Sequence, residues 1–316
     1  FRTGNLGGLP LIIPASEILD WRDLQEKVAM FFREMGYYAT TPFIVELAGR
    51  GKKEVDVHIC DPRASVNQIF LAECKLWETA IPQDTVHSFH TVMHGAGANT
   101  GFIISKAGFQ IGAHEAAQNT NIHLLTWEEL QHKFGRQWYL HRTDVVGKVI
   151  AELETIDRIY LEQCNPVPIA NWMMFSATAR EEELLEILND IRVVLLAYIG
   201  RPKTYDVPGP IDVSVYDGFP GAVKDKWGCH ILQLPDVRSF FAWIETQGAM
   251  LIDLFKALRD QAVRDFETLS DSGEAAFAET LKLLAEETPL RDFRGDLGEE
   301  TYQSIIHKHL TRGEGK

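Results

Sequence analysis

The chain has 316 residues, of which 45% are hydrophobic and 24% charged, and its net charge is −14. This composition is typical of a globular protein long enough for two domains, and the acidic balance argues against a general nucleic-acid coat protein. No apolar stretch approaches the roughly 18 residues of a membrane helix, and the four cysteines form no CxxC pair, which favours reduced thiols in the cytoplasm.

In the first 140 residues, helical and extended patterns alternate. Apolar residues at helical spacing predict a first helix over residues 15–37, with Ser16 as a candidate cap. Three strands are then predicted in "YYATTPFIVELAG", "EVDVHIC" and "NQIFLAECKLW". A helix, a buried strand, a helix, a strand and a helix follow, in "QDTVHSFHTVMHGAG", "TGFIISKAGF", "QIGAHEAAQNT", "NIHLLT" and "WEELQHKFG". This order predicts a three-layer α/β domain around a central mixed sheet.

From about residue 143 the sequence changes to long amphipathic helices. They are predicted at residues 144–164, 180–200, 237–269, 274–287 and 298–310. Short strands are expected in "PIDVSVYD" and "GCHILQL".

A linker near residues 138–145 is the predicted domain boundary. It separates a first domain, residues 1–142, from a mainly α-helical domain, residues 143–316. Because no catalytic motif is evident in the second domain, we expect it to serve regulation, partner binding or oligomerisation.

The stretch "FLAECKLW" carries the main chemical signal. Strand alternation places Glu73 and Lys75 on one face, about 7 Å apart along the strand, while Cys74 points to the opposite, apolar face. Asp56 lies on the polar face of the preceding strand. If the two strands form a hairpin across "CDPRASVN", Asp56 meets Glu73 at one end of the sheet.

Two converging carboxylates predict a site for Mg²⁺ or Mn²⁺. The backbone carbonyl of Cys74 would complete it, and Lys75 would orient or help to deprotonate a water. Phosphodiester hydrolysis needs this combination of a metal and a positioned water. The alternative interpretation of the same residues is a solvated cross-strand ion pair.

Several motifs together resemble a known family. They are "FFREMGY", the "VDV" strand with Asp56, the Glu73-Cys74-Lys75 run, "GFIISKAGF" and "AHEAAQNTNIHLL". Over roughly residues 20–135 the sequence resembles the Mrr-like restriction endonuclease domain of the PD-(D/E)xK nuclease superfamily. The resemblance implies a restriction-endonuclease-like fold and a metal-dependent DNA endonuclease, with Asp56, Glu73 and Lys75 as catalytic residues.

The resemblance leaves one metal ligand open. The family's first helix usually contributes a Glu, and that position falls on Gln25, with Glu26 beside it. Either residue is a candidate ligand, and Glu46 is a weaker one.

Basic residues near the predicted site are candidates for DNA binding. They are Arg50, Lys52, Lys53, His87, His90 and Lys106. Because His87, His90 and His94 share one helix face, a zinc site is an alternative interpretation of the histidines.

The leading hypothesis is a Mg²⁺-dependent endonuclease that cleaves double-stranded DNA as the effector of a restriction or anti-phage defence system. Double-strand cleavage needs two active sites, which favours a homo-oligomer, and residues 143–316 are expected to bind a partner such as a sensor or an ATPase. The alternatives are a catalytically weak, nuclease-like module that binds nucleic acid or protein, and a nuclease that acts on RNA. No membrane association is expected.

Overall fold

The computed structural model describes residues 10–49, 51–161, 174–176 and 178–268. The helices predicted near residues 274–287 and 298–310 lie outside this part of the chain. Two compact units are distinguished. The first consists of Phe1–Val145, Pro202–Ile211 and Leu234–Phe241, and the second of Val146–Arg201, Asp212–Gln233 and Ala242–Lys316. The division into domains at residue 142 stays a prediction.

Seven strands and three complete helices form most of the first unit. The strands are β1 (Tyr38–Thr40), β2 (Phe43–Leu47), β3 (Gly51–Val55), β4 (Val57–Cys60), β5 (Ile69–Lys75), β6 (Thr100–Ser105) and β7 (Ile122–Thr126). The helices are α1 (Trp21–Arg33), α2 (Gln83–Ala96) and α3 (Ile111–Ala117), preceded by a 3-10 turn at Ala15–Glu17. A long fourth helix, α4 (Trp127–Leu161), follows β7.

The five-stranded sheet of this unit is mixed, in the order β1-β4-β5-β6-β7. β1, β4 and β5 pair antiparallel, whereas β5, β6 and β7 pair parallel. The two crossover units predicted from the sequence are therefore confirmed. The predicted meander is formed by β1, β4 and β5, but the predicted strand "YYATTPFIVELAG" is two strands, of which only β1 belongs to this sheet. β2 and β3 form a separate two-stranded ribbon.

Helices cover both faces of the sheet, which confirms the predicted three layers. On one face, Phe32 of α1 packs edge-on against Phe134 of α4, and both rings contact Phe102 of β6. On the other face, Phe89 of α2 belongs to the apolar cluster that includes Leu71 of β5. β5 and β6 are thus buried on both sides, as crossover strands require.

Two predicted elements have different bounds in the structure. The first helix begins at Trp21 rather than near Ser16, because Asp20 caps it: the Asp20 carboxylate accepts a hydrogen bond from the Asp23 N–H at 2.9 Å. The predicted strand "EVDVHIC" is interrupted at Asp56. β3 before this residue pairs with β2, and β4 after it pairs with β5.

Residues 138–145, predicted as a linker, are helical. α4 runs through them without a break, so two helices predicted from the sequence are one helix of 35 residues. Gly135, the first glycine in it, is buried, and a side chain there would collide with the ring of Tyr205. This glycine therefore serves close packing and does not end the helix.

The described part of the second unit is mainly helical, as predicted. Its elements are the later part of α4, α5 (Glu181–Ile199), most of a small sheet and most of α6 (Val237–Glu267). The sheet has the order β8-β10-β9, with β8 at Ile211–Ser214, β9 at Val223–Lys224 and β10 at His230–Leu234. The rings of Tyr160 and Phe255 pack edge-on at 5.0 Å. Among the described residues, none of the helices combines the length and the apolar character that crossing a membrane requires.

Candidate active site

The β4–β5 hairpin brings the predicted catalytic residues together. Val57 pairs with Ala72 in the antiparallel register, so Asp56, one residue earlier, falls opposite Glu73. Asp56 is fixed there because one of its carboxylate oxygens accepts a hydrogen bond from the Cys74 N–H at 2.7 Å. The break between β3 and β4 thus turns the Asp56 side chain towards β5.

Asp56, Glu73 and Lys75 form one compact cluster. Lys75 Nζ lies 2.5 Å from Glu73 Oε1 and 3.9 Å from Asp56 Oδ2. The Lys75, Glu73 and Asp56 side chains are 19%, 26% and 19% exposed. A solvated surface ion pair, which was the alternative interpretation, would be far more exposed.

The cluster has an electrostatic imbalance. Burial raises the pKa of Glu73, the charge of Asp56 raises it further, and Lys75 and Lys53 only partly oppose these effects. The Glu73 carboxylate is therefore held in surroundings that penalise its charge, because burial and the neighbouring Asp56 charge outweigh its contact with Lys75. A further cation between the carboxylates would relieve this penalty.

Cys74 belongs to the core, as its place on the apolar face of β5 predicts. Burial, followed by the charges of Asp56 and Glu73, raises the pKa of its thiol well above the ordinary value. A thiol that stays protonated is a poor nucleophile. The side chain of Cys74 is thus a packing group.

A cleft of about 600 Å³ opens beside the cluster. Asp56 and Lys75 line it together with residues of α1 and of the segment before α1. Its lining consists of Leu19, Asp20, Trp21, Gln25, Asp56, Cys74, Lys75, Leu76 and Trp77. All of these residues belong to the first unit.

Gln25 and Glu26, the two candidates for the first-helix ligand, are placed differently. Gln25 is 7% exposed and lines the cleft. Glu26 is exposed and pairs with Arg33 at 2.6 Å, and it is not part of the lining. Asp20, which the sequence did not single out, contributes a carboxylate to the lining, but one of its oxygens caps α1.

A second, smaller cavity of about 290 Å³ lies on the α2 side of Glu73 and Lys75. Lys53 and Glu54 of β3 and Asp84 of α2 are among its lining residues. Of the basic residues predicted to bind DNA, Lys53 thus lies beside the cluster of Asp56, Glu73 and Lys75. Glu54 lines this cavity at an exposed position.

The remaining candidates that the structure describes lie outside both linings. Glu46 and Lys52 pair with each other at 3.3 Å on the ribbon, where both are highly exposed. Lys106 pairs with Glu78 at 2.6 Å, and its backbone N–H donates to the Lys75 carbonyl at 3.1 Å. Arg50 lies outside the described residues.

The histidines of α2 do not form a metal site. His87, His90 and His94 are all exposed on the helix. Over the described ranges, no group of three or more His, Cys, Asp or Glu side chains is arranged to hold a metal ion. The zinc interpretation is therefore wrong for this helix, and a metal at Asp56 and Glu73 would need backbone or water oxygens as its further ligands.

Two aromatic residues of the cleft were missed as site residues. Trp21 is 51% exposed and Trp77 is 44% exposed. Side chains two residues apart in a strand lie on the same face, so Trp77 follows Glu73 and Lys75 on their face. Strand alternation alone could therefore have associated Trp77 with the site. Nothing in the sequence around Trp21 indicates that it lies near β5.

Comparison with known proteins agrees with this geometry. Residues 17–134 match the family model Mrr_cat, described as restriction endonuclease. This range contains the whole Asp56, Glu73 and Lys75 cluster, and it confirms the resemblance and the fold class predicted from the sequence. The matched part of the chain is thus similar to restriction endonuclease domains.

The other comparisons add no function. No curated protein matches the chain. A solved structure described as "Crystal Structure of Protein of Unknown Function AF1548" is 15% identical, with a TM-score of 0.31, and the match covers 56% of this chain and 98% of that one.

Proposed function

We propose, on the premise that residues 17–134 form a restriction-endonuclease-type domain, that the protein hydrolyses phosphodiester bonds of DNA with the help of Mg²⁺ or Mn²⁺. The observation that carries the proposal is the convergence of Asp56, Glu73 and Lys75 in one half-buried cluster within the matched range. A two-acid, one-lysine cluster fits phosphodiester hydrolysis, which develops negative charge on the phosphate and needs an oriented water.

The donor set fits a hard divalent cation. Asp56 and Glu73 offer carboxylate oxygens across the hairpin, and the backbone carbonyl of Cys74 offers a third oxygen. The raised pKa of Glu73 supports this assignment, because a cation would favour the charged carboxylate. When bound, the metal would supply charge neutralisation and activation of the attacking water.

Side chains of the protein would hold the metal in place and position the water and the phosphate. Asp56 is held by the Cys74 N–H, so its carboxylate has a fixed direction. Lys75 carries an ammonium group that can orient the attacking water or stabilise negative charge on the phosphate. Gln25 lines the same cleft with an amide in place of the family's acid, and we assign it to positioning water or phosphate rather than to charge neutralisation.

A plasmid cleavage assay tests the proposal. With Mg²⁺ or Mn²⁺ present, the wild type should nick or linearise DNA, and Asp56→Ala and Lys75→Ala should each lower the rate by about 10²–10³-fold. Glu128→Ala and Lys133→Ala are matched controls, because both residues are exposed on α4. Equal cleavage by all five proteins would falsify the assignment of the site. A matched RNA duplex in the same assay separates DNA from RNA as substrate.

One observation favours a second candidate function, that of a binding module without cleavage. The first-helix acid of the family is Gln25 in this chain, and only two carboxylates lie in the cluster. Calorimetry with Mn²⁺ distinguishes the two functions. A nuclease should bind the metal in a manner that Asp56→Ala removes, whereas a pure binding module should not.

The wider role is also a proposal. Cleavage of both strands requires two sites, which supports a homo-oligomer, and the helical region offers surface for assembly or for a sensor or ATPase partner. Nuclease domains of this type joined to control modules suit effectors of restriction or anti-phage defence. The described cysteines, Cys60, Cys74 and Cys229, are free thiols, which supports a cytoplasmic location. Sedimentation with and without DNA tests the oligomeric state.

A further inference from the structure

The tryptophans of the first unit fall into two groups. Trp127 and Trp138 are buried, and the indole N–H of each donates a hydrogen bond, to the Ile13 carbonyl at 3.1 Å and to Glu34 at 2.8 Å. Trp21 and Trp77 are about half exposed, and both line the 600 Å³ cleft that also contains Asp56. The exposed indoles of this unit are thus concentrated at the candidate active site.

The mouth of this cleft has an unusual composition. Leu19, also in the lining, is 85% exposed, so three large apolar side chains meet water there. A cation accompanies each ring: the Arg22 guanidinium lies 4.8 Å from the Trp21 ring centre, and Lys75 Nζ lies 5.8 Å from that of Trp77. Exposed apolar area bordered by polar groups marks a binding surface.

Aromatic rings with adjacent cations suit a nucleobase and its phosphate. Every base has an aromatic face that stacks on an indole ring, and Arg or Lys attracts the phosphate. In an intact duplex these faces are covered by neighbouring bases, and only the base edges are exposed in the grooves. Indoles at the cleft can therefore stack only on bases that have left the helix.

We propose that Trp21 and Trp77 form a stacking platform for unpaired nucleotides beside the scissile phosphate, so that the preferred substrate is DNA with single-stranded or extruded bases. This inference rests on the proposed nuclease function for the position of the scissile phosphate. It deepens that function by assigning a substrate class. Recognition is by shape and stacking, without sequence preference.

Binding without cleavage tests the platform directly. Labelled DNA is titrated with the full chain in Ca²⁺ in place of Mg²⁺, and fluorescence anisotropy gives the Kd. Three DNAs are compared: a paired duplex, the same duplex with a bulge of three thymidines, and the same bulge with abasic sites in place of the thymines. The wild type should bind the thymidine bulge roughly tenfold more tightly than the abasic bulge. The abasic bulge keeps the phosphates, so this ratio isolates stacking.

Variants assign the effect to the two rings. Trp21→Ala with Trp77→Ala should remove the preference for thymidines over abasic sites, and Trp21→Phe with Trp77→Phe should restore part of it. Trp227→Ala is the matched control, because Trp227 is 79% exposed with Lys226 Nζ 5.3 Å from its ring centre, yet it belongs to the second unit. This control should keep the full preference.

Three results would overturn the inference. They are equal affinity of the wild type for the thymidine and abasic bulges, a preference that survives in the double Ala variant, and an equal loss in Trp227→Ala. If the double Ala variant instead changes only the sedimentation behaviour, the rings serve contact between copies and the platform is wrong. Since binding is measured without turnover, failure of the platform is distinct from failure of cleavage, which the plasmid assay reports.

Discussion

Each compact unit contains a cluster of acidic and basic side chains, and the two clusters have opposite electrostatics. In the second unit, Arg180 Nε lies 2.8 Å from Asp265 Oδ2, and hydrogen bonds from Arg180 and then Gln261 lower the pKa of Asp265. In the first unit, burial and the charge of Asp56 raise the pKa of Glu73 although Lys75 touches it. The cluster of the second unit favours the charged form of Asp265, whereas the cluster of the first unit disfavours the charged form of Glu73.

The difference indicates what each cluster is for. A carboxylate with a lowered pKa has its charge compensated by the protein itself, as in an ion pair between helices. A half-buried carboxylate with a raised pKa, next to a second acid, is left for something outside the chain to compensate. A divalent cation supplies that compensation in the proposed function.

The largest effect that tests this comparison is expected from Glu73→Gln. The variant keeps the shape of Glu73 but removes the charge that would bind metal, so plasmid cleavage should fall by about 10²–10³-fold. The same change should raise the Tm of the metal-free protein at pH 7, because the charged form of Glu73 is disfavoured in the fold. Activity and stability should therefore change in opposite directions.

The pH dependence of that Tm difference has a definite sign. The folded pKa of Glu73 lies above its ordinary value of 4.5, so the folded state binds this proton more tightly than the unfolded state. The contribution of protonated Glu73 to the stability of the wild type is fully present below about pH 4.5. It is lost as the pH rises through the folded pKa of Glu73. The Tm of Glu73→Gln should thus exceed that of the wild type most at neutral pH, and the difference should vanish in acid. Thermal melts of both proteins over this pH range measure it. A Tm difference that is the same at all pH values would show that it does not arise from the raised pKa of Glu73.

An intermediate effect is expected at the two lysines of β3. Successive residues of a strand point to opposite sides. Lys53 lines the cavity beside Glu73, whereas Lys52 pairs with Glu46. Lys53→Ala should weaken DNA binding at all sequences and lower the slope of log affinity against log salt by about 1. Lys52→Ala should change this slope less, and equal changes would remove the distinction between the two residues.

The smallest effect is expected in the second unit. Arg180→Ala removes the partner of Asp265 and Glu183 and should lower the Tm slightly, because ion pairs that keep contact with water contribute little. Cleavage of plasmid DNA should stay at the wild-type rate. A large loss of cleavage in this variant would show that the second cluster takes part in the activity and that the contrast between the clusters is wrong.

Much of the site followed from local geometry alone. Glu73 and Lys75 share a face because side chains alternate along any strand, and the "CDPRASVN" turn between two extended runs is enough to predict the hairpin. The mixed sheet followed from the order of elements, since strand–helix–strand units are right-handed parallel crossovers. These features depend on a few consecutive residues, or on periodicity that the chain itself displays.

The rest depends on contacts between distant residues. Whether Gln25 or Glu26 faces the cleft is set by the rotation of α1 about its axis, and a shift of one residue turns a helix by about 100°. The break at Asp56 arises because β3 and β4 have different partner strands. Trp21 reaches the cleft of Trp77 only because α1 packs against β4 and β5.

The sequence by itself therefore determined the fold class, the shared face of Glu73 and Lys75, and the pairing of these residues with Asp56. Strand period and hairpin closure are short-range properties, so they can be deduced from neighbouring residues. Tertiary structure alone decided that Gln25 is the first-helix residue at the cleft and that Trp21 and Trp77 are exposed there. Both depend on how α1 packs on the sheet, and that packing is set by the whole core.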